Sequence, residues 1–202
     1  MRAPAILLLA TSNPGKLREI RQILSGLPIE IKTLADFPDI QPPVEDEPTF
    51  EANALKKARH YARRTGLWTL ADDSGLEVDA LGGAPGVRSA RYAGENAGDT
   101  ANNAKLIAAL AGVPAERRTA RFRCAAVVSD GSRVWASAQG TVDGLIIDTP
   151  RGQNGFGYDP HFLLPQRGVT TAELPPEEKN RISHRGQAMR RIGEQLTDPL
   201  AK

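Results

Sequence analysis

The fold turns on one stretch, Ala5-Ile6-Leu7-Leu8-Leu9-Ala10-Thr11-Ser12-Asn13-Pro14-Gly15-Lys16-Leu17. Residues 5–10 are apolar without alternation, the pattern of a strand buried on both faces, and Leu17, Ile20 and Leu24 follow at helical spacing. The spacing predicts a strand, a tight polar loop and a helix over 15–24. Asn13 can cap that helix, and Pro14 fits its first turn, where a missing N–H costs nothing. Behind Met1-Arg2 the apolar run faintly resembles a signal peptide. It is too short for one and enters the polar loop without a small-residue cleavage site, so a buried first strand is expected.

Outward from this unit the chain keeps alternating helices and strands. Ile29-Glu30-Ile31-Lys32-Thr33 alternates as an edge strand. A second helix is expected to start between Glu47 and Thr49 and to close before Gly66. Its buried stripe is Phe50, Ala54, Ala58 and Tyr61 or Ala62, with Lys56, Lys57, Arg59, Arg63 and Arg64 around the rest. Residues 67–71 read as a buried strand, Asp72-Asp73-Ser74-Gly75 as a turn, 76–80 as an alternating strand and 81–98 as a glycine-rich loop. Asp99 is placed to cap a third helix that ends at Gly112 and buries Leu106, Ile107 and Leu110. Two alternating runs, 121–129 and 133–141, flank Asp130-Gly131-Ser132 as a hairpin, and a last helix begins at Ser183 with Met189, Ile192 and Leu196 inward. Together these elements predict the α/β class with a mixed sheet.

The chain has 202 residues, 40% hydrophobic and 25% charged, enough for a real core and too apolar for a disordered chain. Without repeats or linkers, it reads as one domain over 1–202. Lys+Arg 26 against Asp+Glu 24 gives a formal +2, short of the one-signed field of a nucleic-acid or membrane-surface binder. Any phosphate site must be local. No apolar run reaches the roughly 18 residues of a membrane span. The single cysteine, Cys124, forms no internal disulfide, suits a reducing cytosol and falls on an alternating strand as a core residue. Arg117, Arg118, Arg121 and Arg123 form a basic cluster without interleaved aromatics, expected as a solvated face or subunit contact.

Four places carry chemistry. The loop Thr11-Ser12-Asn13-Pro14-Gly15-Lys16 offers free N–H groups, the positive end of a helix, hydroxyls and a full charge to an anion. A plain capped turn would look the same. Ala10 and Leu17 stand where a P-loop needs glycine and a magnesium-binding hydroxyl, so metal ligands must come from elsewhere. Asp72 and Asp73 lie at the carboxyl end of a strand, where α/β sheets place ligand clefts; on extended chain they point apart, one towards a cleft and the other as an anchor. Magnesium takes one or two carboxylates with substrate phosphate, and Glu45-Asp46-Glu47 can supply the second. In Gly155-Phe156-Gly157-Tyr158-Asp159-Pro160 an aromatic ring can stack on a flat ligand or pin the loop to the core. Finally, His184 and Arg185 are cations on the first turn of the last helix, where the dipole disfavours them unless an acceptor is near.

Taken in order, Thr11-Ser12-Asn13 with Lys16, Phe50-Glu51-x-Asn53 with Lys57, Ala71-Asp72-Asp73-Ser74-Gly75-Leu76, Gly82-Gly83-Ala84-Pro85-Gly86-Val87 with Ser89-Ala90-Arg91-Tyr92, Gly155 to Pro160 and Ser183-His184-Arg185 resemble the inosine triphosphate pyrophosphatase family. The resemblance implies a central mixed sheet flanked by helices, two lobes around a nucleotide cleft, and a homodimer. It also implies magnesium-dependent hydrolysis of ITP, dITP and XTP to the monophosphate and pyrophosphate, in the cytoplasm. Carried over, Thr11, Ser12, Asn13, Pro14, Gly15 and Lys16 would hold the triphosphate with help from Lys57. Glu45 and Asp73 would hold the metal, and Asp73 would accept the proton of the attacking water. Ser74, Phe156, Gly157, Tyr158, Asp159, Lys179, His184 and Arg185 would complete the substrate site, Phe156 stacking on the base. His184 and Arg185 are the residues expected to discriminate the purine carbonyl, by side chain or backbone N–H. The competing class, a non-catalytic nucleotide or RNA binder, gains nothing from carboxylates beside its ligand.

Overall fold

A computed structural model describes residues 6–200, with side chains as far as residue 197. Ala5, included in the first expected strand, lies outside the described residues. The elements are β1 (Ile6–Leu9), α1 (Pro14–Ile23), β2 (Glu30–Thr33), α2 (Phe50–Thr65), β3 (Trp68–Val78), α3 (Asp99–Ala109), β4 (Thr119–Ser129), β5 (Val134–Ile146), β6 (Phe162–Leu164), β7 (Val169–Thr170), α4 (Pro176–Ile182) and α5 (His184–Leu200). The strands form a seven-stranded sheet in the order β2-β1-β3-β4-β5-β6-β7. It is mixed, since β1 pairs in parallel with β2 and β3 while β6 pairs antiparallel with β5 and β7. The fold is therefore α/β with helices flanking a mixed sheet.

The described chain forms two compact units, one of residues 6–73, 124–140 and 185–200, the other of 74–123 and 141–184. The core of the first is Leu7, Leu9, Ile20, Leu24 and Leu70 with Met189, Ile192 and Leu196 of α5. Burying such side chains contributes roughly 1.5–3 kcal/mol each. Helical periodicity selects them: Ile20 of α1 and Leu24 at its C-cap lie four apart, as Ile192 and Leu196 do on α5. In the second unit Leu106 and Leu110 of α3 pack with Leu76, Val78, Phe122, Ile146, Tyr158 and Phe162. Ile107 packs only partly buried against that cluster.

The first strand, loop and helix form as the sequence predicts. Asn13 caps α1, its side-chain oxygen accepting from the N–H of Lys16 at 3.0 Å, and Pro14 starts the helix. Thr49 caps α2, which ends at Gly66 with φ 71°. Four expectations need correction. Asp72 to Gly75 is no turn but the middle of the continuous strand β3, because the charges are met by cations of neighbouring elements instead of by solvent. Lys57 is buried with the stripe of α2, since carboxylates surround its ammonium. Asp99 does not cap α3; Gly98 occupies that position and Asp99 begins the first turn. Arg118 is not solvated: it is buried, donates to the carbonyl of Val113 at 2.9 Å and ion-pairs with Asp148. An unforeseen helix, α4, opens on Pro176 directly before α5.

Candidate active site

The first cluster lies wholly within the first unit. The register pairs Leu9 with both Thr33 and Leu70, and the N–H of Ala10 donates to the carbonyl of Leu70 at 2.8 Å. β1 ends there while β3 runs on, so Asp72 and Asp73 emerge at the carboxyl end of β1, where open α/β sheets bind ligands. Beside them the loop of residues 11–16 turns into α1. Ser12, Asn13 and Pro14 are exposed, Gly15 is buried, and the hydroxyl of Thr11 accepts from the N–H of Asn13 at 3.2 Å.

Asp72 and Asp73 are adjacent, yet their environments differ. Asp72 is 1% exposed, with one carboxylate oxygen 3.0 Å from Lys16 Nζ and 3.5 Å from Arg185 Nε. Burial would raise its pKa, but Lys16, Arg185 and Lys57 together outweigh it and hold the carboxyl well below the usual range. Arg185, 2% exposed, also ion-pairs with Glu19 of α1. A cation on the first turn of α5 is thus explained by two carboxylates, and Glu19, which no motif marked, is one of them. Its only signal was its place three residues after Lys16, on the same face of α1.

Asp73 faces another set. Lys57 Nζ lies 3.7 Å from Asp73 Oδ1 and 2.8 Å from Glu45 Oε2, so one ammonium links two carboxylates. Burial raises the pKa of Asp73, and Glu45 and Asp72 add to that against the opposing pull of Lys57 and Lys16. For Lys57 burial opposes the charge, but Asp73, Glu45 and Asp72 prevail and raise its pKa. Within the acidic run, only Glu45 reaches Lys57; Asp46 and Glu47 pair with Lys56. Asn53, buried on α2, holds that run in place, accepting from the N–H of Glu47 at 3.1 Å and donating to its carbonyl at 3.3 Å. Cys124 lies beside Asp72, and burial pushes its thiol up to about 12, so it offers no thiolate at neutral pH.

The donor set fits a hard divalent ion. Glu45 and Asp73 supply two carboxylates, the number magnesium usually takes when phosphate oxygens and water complete its shell. Among the described residues, His, Cys, Asp and Glu form no cluster of three or more suited to a metal.

A second cluster belongs to the other unit. Asp159, 3% exposed, accepts from the N–H of Phe156 at 2.9 Å, from the hydroxyl of Thr171 at 2.8 Å and from Lys179 Nζ at 2.5 Å. Gly155 has φ +77°, and a Cβ there would stand 2.0 Å from Asp159 Oδ2, so only glycine lets the loop close on that carboxylate. Lys179 Nζ lies 5.0 Å from the centre of the half-buried Phe156 ring. Tyr158 is buried, its hydroxyl donating to the carbonyl of Ser89 at 2.8 Å. Of the two aromatics, Tyr158 is thus the anchor. His184 is buried, its ring stacked on Phe122 at 4.9 Å and 14°. Ser74, half-buried, follows Asp73 in β3.

A family model described as the Ham1 family matches residues 7–195. The chain belongs to the Ham1 family. Among relatives of this Ham1 chain, a dITP/XTP pyrophosphatase of Geobacter sulfurreducens is 56% identical over 191 residues, 94% of this chain and 96% of the relative. The dITP/XTP pyrophosphatase of Bacillus subtilis is 45% identical, over 94% of this chain and 96% of its own. A HAM1 protein from Coxiella burnetii has the same fold, with TM-score 0.86, 42% identity and coverage of 96% and 98% of the two chains.

Proposed function

We propose that this Ham1 chain hydrolyses non-standard purine nucleoside triphosphates, dITP, ITP and XTP, to the monophosphate and pyrophosphate, with magnesium. The observation that carries it is the contrast between neighbours on β3: Asp72 paired with Lys16 and Arg185 and held as an anion, and Asp73, made more basic by burial, 3.7 Å from a Lys57 ammonium that Glu45 shares. A phosphate binder would need the cations; the raised carboxylate is what a hydrolase adds. The relatives named dITP/XTP pyrophosphatases support the same substrate class.

Asp73 takes a proton from water as the water oxygen bonds to the α-phosphorus and the bond from that phosphorus to the bridging oxygen breaks. Pyrophosphate leaves with that bonding pair. Lys16, the N–H groups of the loop of residues 11–16 and Lys57 meet the charge of the phosphate chain. Glu45 and Asp73 would hold magnesium, which when bound neutralises the phosphate oxygens and favours attack. Asp72 holds the Lys16 ammonium at 3.0 Å, beside the loop. Phe156 would meet the base by stacking, on the substrate loop of Gly157, Tyr158 and Asp159 that Lys179 ties down. His184 and the backbone N–H of Arg185 would meet the purine carbonyl, where an adenine amino group would face donors at a penalty of roughly 1–3 kcal/mol per unsatisfied group. The protein would act as a cytoplasmic homodimer.

The test is pyrophosphate release from dITP, XTP, ITP, GTP, ATP, UTP and CTP with and without magnesium. Release from the first three alone, dependent on the metal, is expected; a preference for pyrimidines or no release would overturn the proposal. Sedimentation of the purified protein checks the dimer.

A further inference from the structure

Helix α3 opens with Asp99-Thr100-Ala101-Asn102-Asn103, and Asp and Asn are residues that weaken helices by competing for backbone hydrogen bonds. Their side chains here are spent on other segments. Asn102 accepts from the N–H of Ala93 at 2.8 Å and donates to the carbonyl of Ala90 at 3.2 Å. Asp99 and Asn103, four apart and so on one helix face, both reach Gly157. Asp99 Oδ2 accepts from its N–H at 2.7 Å, and Asn103 Nδ2 donates to its carbonyl at 2.9 Å. Gly157 has φ +63°, a conformation that side chains rarely adopt, and the two peptides that flank its Cα are each held by α3, one at its N–H and the other at its carbonyl.

This grip bears on Phe156. The N–H of Phe156 is held by Asp159, the N–H of the next peptide by Asp99 and the carbonyl of the peptide after that by Asn103, so the backbone around Phe156 is fixed and the ring keeps its side-chain torsions. Asp99 is exposed, so its bond adds little to global stability; its effect is to fix where the loop stands. We propose that Asp99 and Asn103 are positioning residues for nucleobase recognition, acting through Gly157 to hold Phe156 ready to stack. The inference rests on the reading of Phe156 as the base-stacking residue.

The experiment compares binding of dIMP and of inorganic pyrophosphate, with dITP kinetics, in Asp99→Ala, Asn103→Ala, Phe156→Ala and Asp99→Ala/Phe156→Ala. Each single variant is expected to weaken dIMP binding about tenfold, the scale of one lost hydrogen bond or stacking contact, and to leave pyrophosphate binding unchanged. KM for dITP rises in each while kcat changes less. The double variant binds dIMP no more weakly than Phe156→Ala, because Asp99 acts through that ring. Asp99→Asn keeps the accepting oxygen and restores dIMP binding, which a charge effect alone would not do. If Phe156→Ala loses dIMP affinity while Asp99→Ala and Asn103→Ala bind as the parent does, the positioning role is wrong and the stacking role stands. Multiplying losses in the double variant, or equal losses for dIMP and pyrophosphate, also overturn it. If Phe156→Ala binds dIMP unchanged, the stacking role itself fails. Should Asp99→Ala not fold, Asn103→Ala and Asp99→Asn decide the matter alone.

Discussion

Two aspartates one peptide apart meet different charges because the pleat turns them to different neighbours, Asp72 to Lys16 and Arg185, Asp73 to Lys57. Replacing each by asparagine separates the roles. Asp73→Asn keeps the side chain's shape and one accepting oxygen but removes the base, so kcat for dITP should fall by about 10²–10⁴-fold with a melting temperature near the parent's. Turnover close to the parent's would remove Asp73 from the chemistry. Asp72→Asn leaves the buried Arg185 guanidinium short of a counter-charge, and uncompensated buried charges cost about 3–5 kcal/mol. It should lower the denaturation midpoint markedly, and a midpoint equal to that of Asp73→Asn would show that the ion cluster carries no such weight. The motif Ala71 to Leu76 marked both carboxylates as chemistry-bearing. It could not tell which was which, since that depends on Arg185 and Lys57, more than a hundred residues apart in the chain.

At the level of elements, local rules were most legible where a strand meets a turn. The hairpin between β4 and β5 is one case: Asp130 accepts from the N–H groups of Ser132 at 2.9 Å and Arg133 at 2.8 Å and from Trp135 Nε1 at 2.8 Å. The N–H of Arg133 first and Trp135 second lower its carboxyl pKa well beneath the ordinary range. A depressed pKa stabilises the fold above the unfolded-state value near 3.9 and loses that contribution as pH falls towards the folded value. Asp130→Ala should therefore cost about 0.5–1.5 kcal/mol at pH 7, the worth of a half-buried, hydrogen-bonded turn residue, and the gap to the parent should narrow below about pH 4. Melting curves across pH 2.5–7 check this, and a gap independent of pH would assign the loss to something other than the ionised carboxylate. β3 went the other way. Asp72-Asp73-Ser74-Gly75 has the composition of a turn, and only tertiary cations let the strand run through it. Asp99 likewise departs from the expected cap, because its carboxylate serves Gly157, 58 positions along the chain.

For the molecule as a whole, a formal +2 conceals a dense alternation of signs around Asp72 and Asp73, a local concentration of charge that the net balance does not display. Such a cluster is costly to assemble without a ligand: burial opposes the charged form at Asp73 and Lys57 alike. A metal-bound triphosphate would add positive charge between the two carboxylates and anionic oxygens beside the lysines, so ligand binding should raise stability by mass action. A hydrolysis-resistant α,β-imido analogue of dITP with magnesium, at a hundred times its Kd, stabilises by about 2.7 kcal/mol, or about 5–10 °C in Tm for a chain of this size. Chelating the metal should remove most of that shift, and so should Glu45→Gln, which withdraws one carboxylate while leaving Asp73 in place. A shift that survives both would place the metal elsewhere, and would leave Glu45 as a partner of Lys57 alone.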